Sequence, residues 1–177
     1  MDDLTLARLI HERNTEALDL LVERHHSALF RFLSQLTRNK DDAEDLTQQS
    51  LMRAIVGAKR FDGRASMRAW LLGIAFHEFT RLRRRRVWLP ILKEWAATSG
   101  AFDSVDDSEA IRVALSRLGT ELRAVFLMHH VEELSIVEIA QSLGIPEGTV
   151  KSRLHAARTK LQTYLNAGEQ TYVPEIC

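Results

Sequence analysis

Between Ala17 and Leu36 apolar side chains recur every three or four residues: Ala17, Leu18, Leu21, Val22, Ala28, Leu29, Phe32, Leu33 and Leu36. That spacing lays one apolar stripe along a helix of 3.6 residues per turn. The same period returns along most of the chain, and no stretch shows a convincing strand pattern. Such a sequence can hide its apolar surface only by packing helix on helix, so the expected fold class is all-α.

Local punctuation sets the elements. Asn14 is expected to cap the first long helix. "RNKDD" ends it and opens a second helix over about 41–59, with Leu46, Leu51, Ala54 and Ile55 inward. "RFDGRAS" is a turn-rich break, and Ser66 caps a third helix that buries Trp70, Leu71, Ile74 and Ala75 and runs out into arginines. "AATSGAFDSV" is small and polar enough to be a linker. Asp106-x-x-Glu109 and Ser135-x-x-Glu138 then have the form of capping boxes. Helices are expected at 107–118, 121–131 and 136–143. Gly144 supplies a stop, Pro146 suits a first turn, and a last helix runs to about Leu165. The expectation is two small helical domains, 1–93 and 106–166, with a linker at 94–105 and a tail at 167–177.

No apolar run approaches the ~20 residues needed to cross a bilayer, and "MDDLTLARLI" carries no signal-peptide pattern. The one cysteine is Cys177, so a disulfide or a cysteine-based zinc site within the chain is excluded. A cytosolic protein without metal or cofactor is expected. His25-His26 and His129-His130 are adjacent pairs, whereas a helix places metal ligands on one face at i, i+4. Each pair is expected to have one ring partly buried and one facing solvent. With no Gly-rich phosphate loop and no local signature of a nucleophilic triad, an enzyme is not expected.

Acids and bases are equal in number over the whole chain, yet they are segregated. Residues 60–93 hold nine bases against two acids, and residues 149–165 hold four bases and no acid. Two separated basic segments in a neutral chain point to two anionic contacts, with acidic surfaces left for something else.

The second basic segment lies in "SIVEIAQSLGIPEGTVKSRLHAARTKL", which has the build of a helix-turn-helix. Ile136, Ile139, Ala140 and Leu143 face inward, a turn follows at 143–145, and the next helix packs through Val150, Leu154 and Leu161. Its outer face presents Thr149, Lys151, Ser152, Arg153, His155 and Arg158, the residue types that contact phosphates and base edges in a major groove. An ordinary amphipathic helix with a solvated basic face would read similarly.

The first basic segment ends in Arg81, Arg83, Arg84, Arg85 and Arg86, which wrap a helix end and suit phosphates approaching from several directions. Upstream, aromatic residues alternate with Arg60, Arg64 and Arg68, as single-stranded DNA binding requires. Trp70 and Ile74 share a helical face and read as core. Phe61 and His77 are the better candidates for meeting an unstacked base.

Together these residues resemble the extracytoplasmic-function (ECF) class of bacterial sigma factors, over nearly the whole chain. "DDAEDLTQQSLMRAI" looks like the region 2 helix that grips the clamp helices of the RNA polymerase beta-prime subunit. "RFDGRASMRAWLLGIA" with the arginine run looks like the part that melts and holds the −10 element. "LGTELRAVFLMHHVEELSIVEIAQSLGIPEGTVKSRLHAARTKL" looks like region 4, which reads the −35 element. The resemblance implies an alternative sigma factor that binds core polymerase at the beta-prime clamp helices and beta flap and directs promoter-specific initiation. Asp45, Leu46, Gln48 and Gln49 would face polymerase. Phe61, Ile74 and His77 would surround a flipped −10 base, with Arg81 and Arg83 to Arg86 on the backbone. Lys151, Ser152, Arg153 and His155 would lie in the −35 major groove, flanked by Thr149 and Arg158. The resemblance also implies an anti-sigma factor, which could hold the protein near the inner membrane.

The sequence departs from the class in places. His77 stands where Asn is usual, Leu51 replaces a common Phe, Ala156 sits at an often basic position, and His25-His26 replace aromatic residues. The rival reading is a stand-alone helix-turn-helix regulator, whose N-terminal half would need a sensor or receiver domain with strands.

Overall fold

A computed structural model of the chain describes residues 1–88 and 107–169. The expected 94–105 linker, the Asp106 cap and Cys177 lie outside the described residues. The described residues form α1 (Asp3–His11), α2 (Thr15–Thr37), α3 (Lys40–Gly57), a 3-10 turn (Ala58–Arg60), α4 (Met67–Trp88), α5 (Asp107–Arg117), α6 (Thr120–His130), α7 (Ile136–Leu143) and α8 (Glu147–Glu169). Among them there is no strand.

Local chemistry starts and stops these helices. The Asn14 carboxamide oxygen accepts from the Ala17 amide at 2.9 Å, satisfying one of the orphan donors of a helix start. Asn39 caps α3 through the Asp42 amide at 2.9 Å, so that helix begins one residue before the expected acidic pair. At α7 the box is complete: Ser135 Oγ accepts from the Glu138 amide at 3.2 Å and the Ser135 amide donates to Glu138 Oε2 at 3.0 Å. Gly144, at φ +65°, ends α7 in the left-handed conformation that only glycine adopts without strain.

The N-terminal helix α1 was not among the expected elements. It is nine residues long, capped by Asp2, and buries Leu6, Ala7 and Ile10. So short an apolar pattern is easily missed beside its longer neighbours.

α2, α3 and α4 pack on one another, and α1 closes one end against α2, α3 and the 3-10 turn. In the C-terminal half α8 packs against α5, α6 and α7. The two halves also meet: α7 lies on α4, and α6 lies on α2. Their apolar interiors join in one cluster that runs from Leu6 to Leu161. The Arg123 guanidinium is buried at this junction and donates to Ser116 O at 2.5 Å, Leu118 O at 2.9 Å and Gln35 O at 3.3 Å. It therefore satisfies the end of α5 while tying α6 to α2. Burial pulls its pKa below the ordinary arginine value, the nearby Arg38 and Arg83 adding to the effect.

Candidate polymerase and nucleic-acid interfaces

On α3, Asp45, Gln48 and Gln49 are exposed at helical spacing and line an open groove of about 730 Å³. Met52 and Val56 continue the stripe, 63% and 83% exposed. Together they form an apolar patch on the outer side of α3. Neither was among the expected contacts, although their spacing from Gln48 and Gln49 could have revealed them.

Leu46 corrects the expectation. It is 2% exposed, in the core with Ala43 and Ala54. One residue along a helix turns about 100°, so Leu46 cannot share the outward face of Asp45.

The loop from Phe61 to Ser66 leads into α4. Phe61 was expected to offer its ring to a base and Trp70 to be core, and their exposures are reversed. Phe61 is 9% exposed and tilts against Trp70 at 5.4 Å between ring centres. Trp70 is half-buried, its outer ring edge near Gly57. The helical phase of α4 is the reason: Trp70 borders the outer face, and the loop turns Phe61 in beneath it. Ile74 is half-buried against the core and His77 is exposed.

The arginines at the end of α4 divide by direction. Arg81 lies 3.6 Å from Glu78, which also pairs with Arg53 at 2.6 Å. Arg83 donates to the Thr120 hydroxyl and sits over the Phe79 ring. Arg86 makes two hydrogen bonds of 2.7 Å to Asp42 on α3, which raise its pKa further above the ordinary value. Arg84 and Arg85 are exposed and pair with nothing among the described residues. The cluster is thus part scaffold and part open charge.

On α8, Lys151, Ser152, His155 and Arg158 are exposed, while Thr149 and Arg153 are half-buried. Val150, Leu154, Ala157 and Leu161 face inward, as the apolar spacing requires. Arg153 is paired with Glu121 on α6, Lys151 lies 4.0 Å from Glu147, and Arg158 reaches His130 at 3.4 Å. The basic face is presented, with two of its cations held by acids that DNA would have to replace. In each His pair the first ring is half-buried and the second exposed, as expected.

Sigma-70 region 2 matches residues 21–89, and Sigma-70, region 4 matches residues 108–161. With α3 and α4 in the first match and the α7–α8 helix-turn-helix in the second, the class is that of sigma-70-type specificity subunits of bacterial RNA polymerase. The ECF RNA polymerase sigma factor SigM of Mycobacterium tuberculosis is 34% identical over 157 residues, spanning 86% of this chain and 80% of that protein. RNA polymerase sigma factor YlaC of Bacillus subtilis is 29% identical, spanning 85% of this chain and 92% of that protein. Among solved structures, CnrH in complex with the cytosolic domain of CnrY is similar with a TM-score of 0.71 and 26% identity, over 93% of this chain and 97% of that one. The sigma factor RpoE from Bartonella quintana, in complex with the anti-sigma factor NepR, gives 0.66 and 30% identity, over 82% of this chain and 94% of that one. The chain belongs to the ECF RNA polymerase sigma factors.

Proposed function

We infer that this protein is an alternative sigma factor: it binds core RNA polymerase and directs promoter-specific initiation, reading −35 duplex DNA and melting the −10 element. A sigma factor is a recognition subunit and not an enzyme. The observation that carries the reading is the pairing, in one neutral chain, of a capped helix-turn-helix with a separate helix ending in open arginines. A stand-alone regulator has no use for the second of these surfaces.

The division of labour by residue is our proposal. Asp45, Gln48, Gln49, Met52 and Val56 contact polymerase, Leu46 only supporting them from the core. His77 and Ile74 border the −10 base, Trp70 being better exposed than Phe61, and Arg84 and Arg85 lead the backbone contacts. Thr149, Lys151, Ser152, Arg153, His155 and Arg158 serve the −35 groove. We retain 1–93 and 106–166 as the two functional units, joined through 94–105.

No helix among the described residues is long and apolar enough to cross a membrane. We propose that the protein works in the cytoplasm, where polymerase and promoter are, under an anti-sigma factor that can hold it near the inner membrane. The Bartonella relative solved with its anti-sigma partner supports this, as do the exposed apolar stripe of α3 and the acidic side chains beside it.

The test is assembly. Mixed with core polymerase, the wild-type chain co-elutes as a holoenzyme in gel filtration. Met52→Glu with Val56→Glu, which alters only exposed side chains, abolishes co-elution while circular dichroism stays unchanged. Co-elution of the double variant at wild-type affinity would remove α3 from the interface.

A further inference from the structure

The N-terminal helix α1 reaches the loop that opens α4 through two neighbouring side chains. Asp2 is used within α1, where its Oδ1 accepts from the Thr5 amide at 2.9 Å and its Oδ2 from the Thr5 hydroxyl at 2.8 Å. Asp3 is used elsewhere. Its Oδ2 accepts from the Met67 amide at 2.7 Å, across 64 positions of sequence. Met67 is the first residue of α4 and is 0% exposed, so the bond replaces water at a buried amide. The first amides of a helix have no partner inside it. A carboxylate at this place meets an orphan donor and the positive end of the helix dipole at once. Ser66 Oγ accepts from the Ala69 amide at 3.3 Å and donates to Glu138 on α7 at 2.6 Å. The start of α4 is therefore capped twice, by its own Ser66 and by a side chain of α1.

Leu4 supplies the second contact. It is 56% exposed, yet its end lies over the loop at Gly63. A Cβ on residue 63 would come within 2.9 Å of Leu4 Cδ2 and 3.1 Å of its Cγ. The leucine thus rests in the space that a side chain there would fill. Gly63 also takes a φ of +71°, in the left-handed region that favours glycine. Upstream, the 3-10 turn packs against α1, and Phe61 is turned into the core. Asp62 ties the loop to itself, its Oδ1 accepting from the Arg64 amide at 3.1 Å. The exposed residues 62–64 are thus held between Phe61 and Met67, with Leu4 against their middle. Leu6, Ala7 and Ile10 fix α1 in the core, so the helix is a firm support.

We propose that α1 is a specificity element of −10 reading: Asp3 and Leu4 are positioning residues that hold the 62–66 loop and the first turn of α4 where a base is selected. Neither side chain touches DNA; each acts through the backbone it holds. Trp70 lies one turn beyond Met67, so a shift at the cap moves its ring relative to the loop. The proposal rests on assigning this loop and α4 to the −10 element, and its test reads that assignment separately.

The experiment is transcription by the holoenzyme from a promoter library randomised across the −10 element, with transcripts counted by sequencing. The readout at each −10 position is the ratio of starts with the preferred base to starts with the others. The parent is compared with Asp3→Ala, Asp3→Asn, Leu4→Ala and Asn14→Ala, each well below its own Tm. Asn14→Ala removes an equivalent cap, that of α2, and leaves both loop contacts in place. The parent should favour one base at one or more −10 positions. Asp3→Ala should lower that ratio about five-fold, on the scale of one wrong base in a site. Leu4→Ala should lower it at the same position. Asp3→Asn, whose side-chain oxygen still accepts from the Met67 amide, should keep it, as should Asn14→Ala. Dependence on the −35 element, read from a second library, should be equal in every protein.

A parental ratio in Asp3→Ala overturns the proposal and leaves the −10 assignment standing, even where total transcription falls. An equal loss of selectivity in Asn14→Ala or Asp3→Asn also overturns it, because stability or charge is then the cause and not the held amide. An unchanged ratio in Leu4→Ala removes Leu4 from the device. If the parent itself shows no −10 preference, the −10 assignment is wrong and the proposal falls with it.

Discussion

Arg84 and Arg85 differ from their neighbours in having no partner among the described residues. A DNA contact through them would break no ion pair among the described residues. Each phosphate neutralised on single-stranded DNA contributes about 0.7 to the slope of log affinity against log salt. Arg84→Ala with Arg85→Ala should reduce that slope by about 1.4 in single-strand titrations of the holoenzyme. An unchanged slope would take both side chains off the phosphates. His25 offers a second test. Burial pulls its pKa below the ordinary 6.5, Arg68 and Arg24 adding to the effect and Asp3 opposing it. Below pH 6.5 the unfolded chain binds a proton that the folded chain resists, so His25 contributes stability above that pH that is lost on acidification. Thermal unfolding should show Tm falling from pH 7 toward pH 5.5, and His25→Gln should flatten that fall. Some slope remains, because burial lowers His130 in the same sense, beside His129 and Arg158. A variant as pH-sensitive as its parent would clear His25 of the effect.

At the scale of the element, the helix-turn-helix depends on its caps. Ser135 serves one orphan amide of α7, and its own amide is served by Glu138. Ser135→Ala should cost about 1 kcal/mol of unfolding free energy, measured by urea titration. A loss within error would mean that docking on α4, rather than the cap, holds α7. Caps of this kind are the most legible features of the sequence. Asn14, Ser66, Ser135 and Gly144 were all placed correctly, because each acts on amides or dihedrals within a few residues of itself. Orientation about a helix axis was less legible. Leu46 was assigned by its place in a motif, while the one-residue phase that buries it is set by Ala43 and Ala54 on the same side. Phe61 read as an exposed aromatic beside a glycine, and only the course of the loop turns it under Trp70. Met52 and Val56 continue the spacing of Gln48 and Gln49, the one sign that they face outward, while their apolar side chains point the other way.

The whole molecule shows what local sequence cannot. The segregation of charge pointed to two anionic contacts, and the small, polar stretch at 96–105 to two helical halves. It gave no hint that the halves would pack together, since a short linker allows contact and separation alike. The hydrogen-bonded residues Arg31 and Glu132 lie 101 positions apart, and Ser66 and Glu138 lie 72 apart. Nothing in the spacing of either residue names the other. No neighbour in sequence explains Gly73, whose reason is the backbone of Ser142.

The most direct test of the central claim is in-vitro transcription with purified bacterial core polymerase on a genomic template library, with start sites mapped by sequencing. The wild-type chain should produce discrete starts that core polymerase alone does not make. Lys151→Ala with Arg153→Ala should weaken their −35 dependence by ~1–3 kcal/mol per specific contact while still co-eluting with core. No protein-dependent start, from a chain that nonetheless binds duplex DNA, would contradict the account.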